Sequence, residues 1–247
     1  MSDRFQNLDY IEEIVTRDSK NIPPEVQKQF WKIVREIKRS PRPDLAEVRQ
    51  VTRIRNIFFK EKRGRTYPLW PCIILMTLIG ILGPTLWYLR LLGVPLQWNT
   101  FAIWTSSEWW IFLRRLGSLA AATFFFYPLG RLIAGKWIGI RIDGVSRGMY
   151  NEPTLKIDYE TFLLLSPSKR KWFFFFAGIW TIITSFMLGL VGLVLVGDLC
   201  GIIIAIFLGI SEGLAIWSET TKNIGGEMAH YNRERRIERA WRRQIGV

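Results

Sequence analysis

Apolar positions along the chain are gathered into four blocks: about Trp70 to Leu92, Trp110 to Ile133, Trp172 to Val196 and Leu199 to Trp217. Each is close to or above the roughly 20 residues a helix needs to cross about 30 Å of hydrocarbon. Pro84 inside the first block predicts a kink rather than an end, because neighbouring helices can re-satisfy the carbonyl it frees. Only Gly197 and Asp198 separate the last two blocks, which predicts a tight antiparallel helix hairpin with Asp198 at the water boundary. Ahead of the blocks the pattern becomes amphipathic. Pro23-Pro24 opens a helix in which Val26, Phe30, Val34 and Ile37 recur at helical spacing, and Ser40-Pro41-Arg42-Pro43 breaks it. Asp44 then caps a second helix with Leu45, Val48, Val51, Ile54 and Phe58 in a stripe beside Arg49, Arg53 and Arg55. Such helices either lie along the membrane surface, pack on a cytoplasmic loop, or simply close a small cytoplasmic core.

The predicted architecture is an all-α membrane protein with four transmembrane helices. Amphipathic N-terminal helices precede them, and a short extended hairpin lies at the cytoplasmic membrane edge. Residues 1–69 form a cytoplasmic or interfacial helical tail, 70–217 the four-span domain and 218–247 a basic cytoplasmic C-terminal helix. That last segment reads as a solvated continuation of the fourth span, with a partner-binding helix as the alternative.

Composition agrees with a membrane location, at 49% hydrophobic and 14% aromatic with 12 Trp and 16 Phe. The formal net charge is +13, and most Lys and Arg lie before Trp70, between Lys136 and Lys171, and after Trp217. With four spans these regions share one side, which the positive-inside rule makes cytoplasmic. The alternate loops, Gly93 to Glu108 and Gly197-Asp198, carry no Lys or Arg. Arg90, Arg114 and Arg115 fall toward the outer interface, where they snorkel to head groups or pair with Glu108. Trp70, Trp87, Trp98, Trp104, Trp109 and Trp110 read either as interfacial anchors or as a protein-binding surface. The charged first seventy residues argue against a cleavable signal peptide, and the reading is an integral protein of a prokaryotic plasma membrane. Cytoplasmic basic charge is expected for insertion and for attraction to anionic lipids, so nucleic acid is set aside as a partner.

The chemistry is mostly a set of exclusions. One histidine, His230, stands in the polar tail, so an intramembrane haem or zinc centre built on imidazole is excluded, and no cofactor is expected. Cys72 and Cys200 lie in different spans near opposite faces and read as small buried residues rather than as a disulfide or nucleophile. Glu212 lies inside the fourth block, where a lone carboxylate must pair, protonate or face a wet cavity. Arg131 in the second block is its expected ion-pair partner. A ligand or proton site built on Tyr127, Arg131 and Glu212 is the alternative.

The segment Tyr127-Pro128-Leu129-Gly130-Arg131, closing the second block, resembles the His-Glu-Leu-Gly-His register of site-2 proteases, the intramembrane zinc metalloproteases. After it, Ala134-Gly135-Lys136-Trp137-Ile138-Gly139-Ile140-Arg141-Ile142 is similar to that family's lead-in to an edge hairpin. Pro153 to Tyr159, with Lys156, Asp158 and Tyr159, and then Ser166 to Lys171 look like its short hairpin-bearing members. The resemblance spans about residues 110 to 225, and Glu212 or Glu219 falls where the family places a third zinc ligand, an aspartate. Only Leu129, Gly130 and the hairpin carry over. Tyr127, Pro128 and Arg131 occupy the three positions that hold zinc and activate water in the family, so the resemblance implies the scaffold without the metal or the catalysis.

The sequence therefore points to a non-catalytic structural or accessory subunit of a larger membrane assembly, with other integral membrane proteins and anionic lipids as partners. The alternative is a metal-free membrane enzyme or transporter that uses Tyr127, Arg131 and Glu212 on a lipid or an ion. The charge asymmetry expects both termini and the loop around Lys156 inside the cell, with Asn99 and Asp198 facing out. Cysteine accessibility labelling of intact cells checks this: Thr154→Cys should be protected from an impermeant thiol reagent, and labelling from outside would reverse the topology.

Overall fold

The structure is a computed structural model and describes residues 3–91, 96, 104–148, 153–222 and 226–245, with the side chains of Asp3, Glu219, Gln244 and Ile245 outside the description. Trp98 and Asn99 also lie outside the described residues. The elements run α1 (Asp3–Arg17), α2 (Pro24–Arg39), α3 (Leu45–Arg63), α4 (Leu69–Leu75), a π-helical stretch (Met76–Leu82), α5 (Gly83–Leu91) and α6 (Ser106–Ile138). There follow β1 (Ile142–Arg147), β2 (Pro153–Ile157), α7 (Tyr159–Leu164), α8 (Pro167–Val196), α9 (Leu199–Lys222) and α10 (Glu227–Ile245). The chain divides into two compact units: Met1–Leu69 with Ala134–Phe173 and His230–Val247, and Trp70–Ile133 with Phe174–Ala229.

Four helices are long and apolar enough to cross a bilayer: Leu69–Leu91, Ser106–Ile138, Pro167–Val196 and Leu199–Lys222, with mean hydropathy 2.0, 1.3, 2.3 and 2.3. At most a third of each apolar window is buried within the protein. Large side chains such as Ile79, Leu86, Val194 and Phe207 are exposed, and a surface of that kind needs hydrocarbon around it. These are the features of an integral membrane protein.

In the first span the π-helical stretch accommodates Pro84. Gly83 donates to the carbonyl of Leu78, five residues back, so the helix is wider where the proline ring would crowd the carbonyl of residue 80. Position 80 is itself glycine, and the Phe125 ring of α6 occupies the place of its missing Cβ. The α8–α9 hairpin forms with Gly197 at φ +70°, its N–H bonded to Leu193 at 2.8 Å. Small residues let these helices meet closely: a Cβ on Gly189 would strike Ala205, and one on Gly209 would strike Phe186. At its start α6 carries a reciprocal capping box. Glu108 accepts from the Thr105 N–H at 2.7 Å while its own N–H reaches Thr105 Oγ1 at 3.4 Å. Glu108 is thus used as a cap.

The other unit is built on α1, α2 and α3. Val26, Phe30, Val34 and Ile37 of α2 and Val48, Val51, Ile54 and Phe58 of α3 are buried, while Leu45 is exposed. Asp44 caps α3, accepting from the Ala46 N–H at 2.9 Å. The preceding helix α1, which the sequence reading leaves unassigned, buries Leu8, Ile11 and Val15. It is tied to α3 where Arg53 donates to both Glu12 oxygens at 2.8 and 3.1 Å and Gln50 donates to Asp9 at 2.6 Å. The hydrogen bonds from Arg53 hold the Glu12 carboxyl below its usual range against the opposing effect of burial. Strands β1 and β2 pair antiparallel with an irregularity between Ile142 and Gly144. The chain before the first span joins them: Tyr67 and Val145 exchange backbone hydrogen bonds at 2.7 and 3.0 Å. Gly144 is required there, because a Cβ would collide with the Tyr67 carbonyl.

The C-terminal helix corrects the expectation of a solvated continuation. Glu234 and Glu238 of α10 are 1% and 4% exposed. Glu234 accepts from Lys38 at 2.6 Å and from Arg170 at 2.8 Å, and Arg170 also donates to the carbonyls of Lys38 and Leu163. Glu238 accepts from Lys171 and Ser168. The arginine-rich face hid this role, because the residues that dock the helix are its few glutamates.

Burial works to raise the Glu234 carboxyl, but the charges of Lys38 and Arg170 and their hydrogen bonds hold it below its usual range. A carboxyl depressed by folding contributes stability above its unfolded pKa and loses it as pH falls through the folded one. Glu234→Gln should therefore lower stability by about 3–5 kcal/mol at neutral pH, since two cations are left buried without a counter-charge. The gap from wild type should close in the acid range, read as thermal melting by near-UV circular dichroism in detergent. A pH-independent gap would show that packing, not charge, holds α10.

Candidate functional site

Tyr127 to Arg131 sit on α6, and the sequence spacing sets their geometry. Tyr127 and Arg131 are four residues apart and share a face of the helix, with the guanidinium 5.7 Å from the Tyr127 ring centroid. Their carboxylate is Glu227, in the first turn of α10. Tyr127 donates a short hydrogen bond to Glu227, and Arg131 Nη1 lies 3.5 Å from both Glu227 Oε1 and Tyr127 Oη. One glycine admits a neighbour. The Trp180 ring of α8 fills the space a Cβ on Gly130 would take, while a Cβ on Gly178 of the same helix would make only ordinary contact with the Glu227 side chain, at 3.6 Å. Pro128 lies within α6, which continues through it, although proline supplies no N–H to the preceding turn.

This arrangement corrects the expected Arg131–Glu212 pair. Arg131 takes Glu227, while Glu212 on α9 is half-buried and has no hydrogen-bond or ion-pair partner among the described residues. The proposed triad of Tyr127, Arg131 and Glu212 thus forms with a different acid. Sequence reasoning preferred Glu212 because its apolar neighbours made a lone charge conspicuous. Glu227, just beyond Gly226 in a polar tail, gave only the weak signal of an acid in a helix's first turn. The side chain of Glu219 is outside the described residues.

A phenol, a proline and a guanidinium do not make a zinc site, which needs thiolate, imidazole or carboxylate donors. Among the described residues no three His, Cys, Asp or Glu side chains converge on a point.

A second polar cluster in the same unit was not foreseen. Arg115 of α6, 1% exposed, donates to Asp198 Oδ1 at 2.7 Å and to the Leu91 carbonyl at 2.7 Å. Tyr88 donates to Asp198 Oδ2 at 3.0 Å. Tyr88, Trp104, Leu119, Cys200 and Ile204 pack into one buried cluster. Space for the tyrosine hydroxyl is left by Gly192 and Gly201, where a Cβ would collide with it. Asp198 therefore turns inward instead of standing at the water boundary, and Arg115 and Trp104 are core residues, not lipid anchors. A buried carboxylate in a two-residue turn gives an adjacent arginine a stronger partner than a head group. Arg114, Trp70 and Trp110 are exposed, and Trp109 is partly so.

The hairpin residues have structural partners in the other unit. Lys156 pairs with Asp143 at 3.2 Å. Asp158 accepts from the Glu160 N–H, capping α7, and lies 3.3 Å from Arg141. Tyr159 is buried beneath the Arg55 guanidinium, 4.6 Å from its ring centroid, and stacks on Phe162. Burial pushes Arg55 below its usual range, opposed by the negative groups around it.

The chain matches no known family, no characterised protein and no solved structure. Its function is therefore argued from its own geometry.

The Arg131–Glu227 pair should show coupling. Each side chain is 14% exposed, and removing either one strands the other at a depth where water is scarce. Arg131→Met, Glu227→Gln and the double change, compared by thermal melting in detergent, should give a coupling of about 1 kcal/mol or more. Arg131→Met with Glu212→Gln should be additive. The reverse pattern would reinstate Glu212 as the partner.

Proposed function

We propose that this chain is a non-catalytic structural or accessory subunit of a larger membrane assembly in a prokaryotic plasma membrane, with both termini cytoplasmic. The observation that carries the reading is the closure of the cluster at the protease-register positions. Tyr127 and Arg131 both face Glu227, with Trp180 set against Gly130. A catalytic or transport site needs convergent groups directed at a substrate, whereas these are directed at each other. Arg115 and Asp198 follow the same logic. These two polar clusters in the spans therefore serve to fix helix positions. A surplus of exposed aromatic residues supports a protein partner: Trp87, Trp110, Trp137 and Trp217 are all exposed, more than anchoring alone requires.

The test is the composition of the particle extracted in mild detergent at native expression level. Native mass spectrometry should find this chain in fixed ratio with a second integral membrane protein, and elemental analysis of the same sample should find no stoichiometric zinc. A particle made of this chain and lipid alone would overturn the subunit reading. One tightly held zinc per chain would overturn the non-catalytic one.

A further inference from the structure

Just before the first span the chain forms a basic hollow of about 320 Å³, lined by Lys62, Arg63 and Arg65 from the end of α3 and beyond, with Tyr67 and Arg147 from the facing strand region. Local geometry explains how the cations come together. Gly64 sits at φ +70°, a conformation that side-chain-bearing residues rarely adopt, and it turns the chain sharply at the end of α3. Tyr67 is then fixed to Val145 by two backbone hydrogen bonds, which brings the end of α3 and Arg65 alongside Arg147.

The charges in this hollow are not balanced from within. None of the four cationic side chains has an ion-pair partner among the described residues. Elsewhere in the same unit Lys38, Arg49, Arg53, Arg141 and Arg170 are each matched to a carboxylate. Arg63 is only partly exposed, and its Nη1 is buried with no hydrogen-bond partner among the described residues. A buried guanidinium donor left unsatisfied is costly, and like charges gathered in a hollow repel. Both costs vanish if an anion with several acceptor oxygens occupies the space.

We propose that this hollow binds the phosphate group of an anionic phospholipid. Guanidinium groups recognise phosphate oxygens in bidentate fashion, and the volume suits a head group rather than a folded partner. The lipid source follows from chain length. Only Pro68 separates Tyr67 from Leu69, where the first span begins, so the hollow is within about 7 Å of chain from a helix end that must lie at head-group level. Exposed Tyr67 and Trp70 are the aromatic pair expected at that level. Phosphatidic acid, whose monoester carries more charge than a diester, should bind best. This assignment is independent of the subunit reading, since a solitary chain would keep the hollow.

The test uses the full chain, delipidated in dodecyl maltoside, with dioctanoyl phosphatidic acid, dioctanoyl phosphatidylcholine and inorganic phosphate as separate probes. Phosphatidic acid should bind far more tightly than the other two. Arg63→Gln with Arg147→Gln should weaken it by about 30-fold, the loss expected for two cations beside an anionic head group. Lys62→Gln with Arg65→Gln removes two exposed side chains and should give a similar loss if the first variant disturbs folding. Lys32→Gln with Arg35→Gln, exposed cations on α2, should leave affinity unchanged. Equal affinity for phosphatidylcholine, or wild-type affinity in both hollow variants, would overturn the site. Inorganic phosphate binding as tightly as phosphatidic acid would overturn the lipid assignment.

Discussion

The membrane unit depends on one buried ion pair. Arg115 brings a full charge into the unit, and a charge there is tolerable only if a carboxylate and further acceptors meet it. Asp198 supplies the carboxylate from the α8–α9 turn, the Leu91 carbonyl supplies the second acceptor from the end of the first span, and Tyr88 fills the other Asp198 oxygen. One guanidinium thus joins all four spans. The glycines at 192 and 201 serve the same end, since the Tyr88 hydroxyl reaches Asp198 only because neither position carries a Cβ.

Much of the chain's negative charge is used inside. Glu12, Asp158, Glu234 and Glu238 in one unit, and Asp198 and Glu227 in the other, face inward onto cations or caps. The 13 excess positive charges include the cations that line the hollow beside Gly64. Because each internal pair removes a cation along with an acid, the net positive charge stays on the surface, and such a surface suits an anionic leaflet.

The α6 cluster shows how polar residues on a membrane helix can be used for packing. Pro128 removes a backbone donor, and Arg131 brings a charge that must be neutralised. Tyr127 and Glu227 meet that charge, and Gly130 lets Trp180 close over the helix. Each contact favours packing between helices over an open, solvated centre.

The four spans, the hairpin turn at Gly197, the buried faces of α2 and α3 and the Asp44 cap were legible in the sequence. They follow from runs of apolar residues, from helical periodicity and from local capping chemistry, all of which act over a few neighbouring positions. Helix α1 was missed because its three core residues stand among charged neighbours. The docking of α10 was missed because its arginines outnumber the glutamates that hold it. Partner choice among charges was decided only by tertiary structure. Arg131 had Glu212 and Glu227 as possible acids, and Arg115 had Glu108, Asp198 and the lipid head groups. Nothing in linear order ranks such partners, because an ion pair's energy depends on distance and desolvation at the site, and both arise only when residues far apart in the chain are packed together.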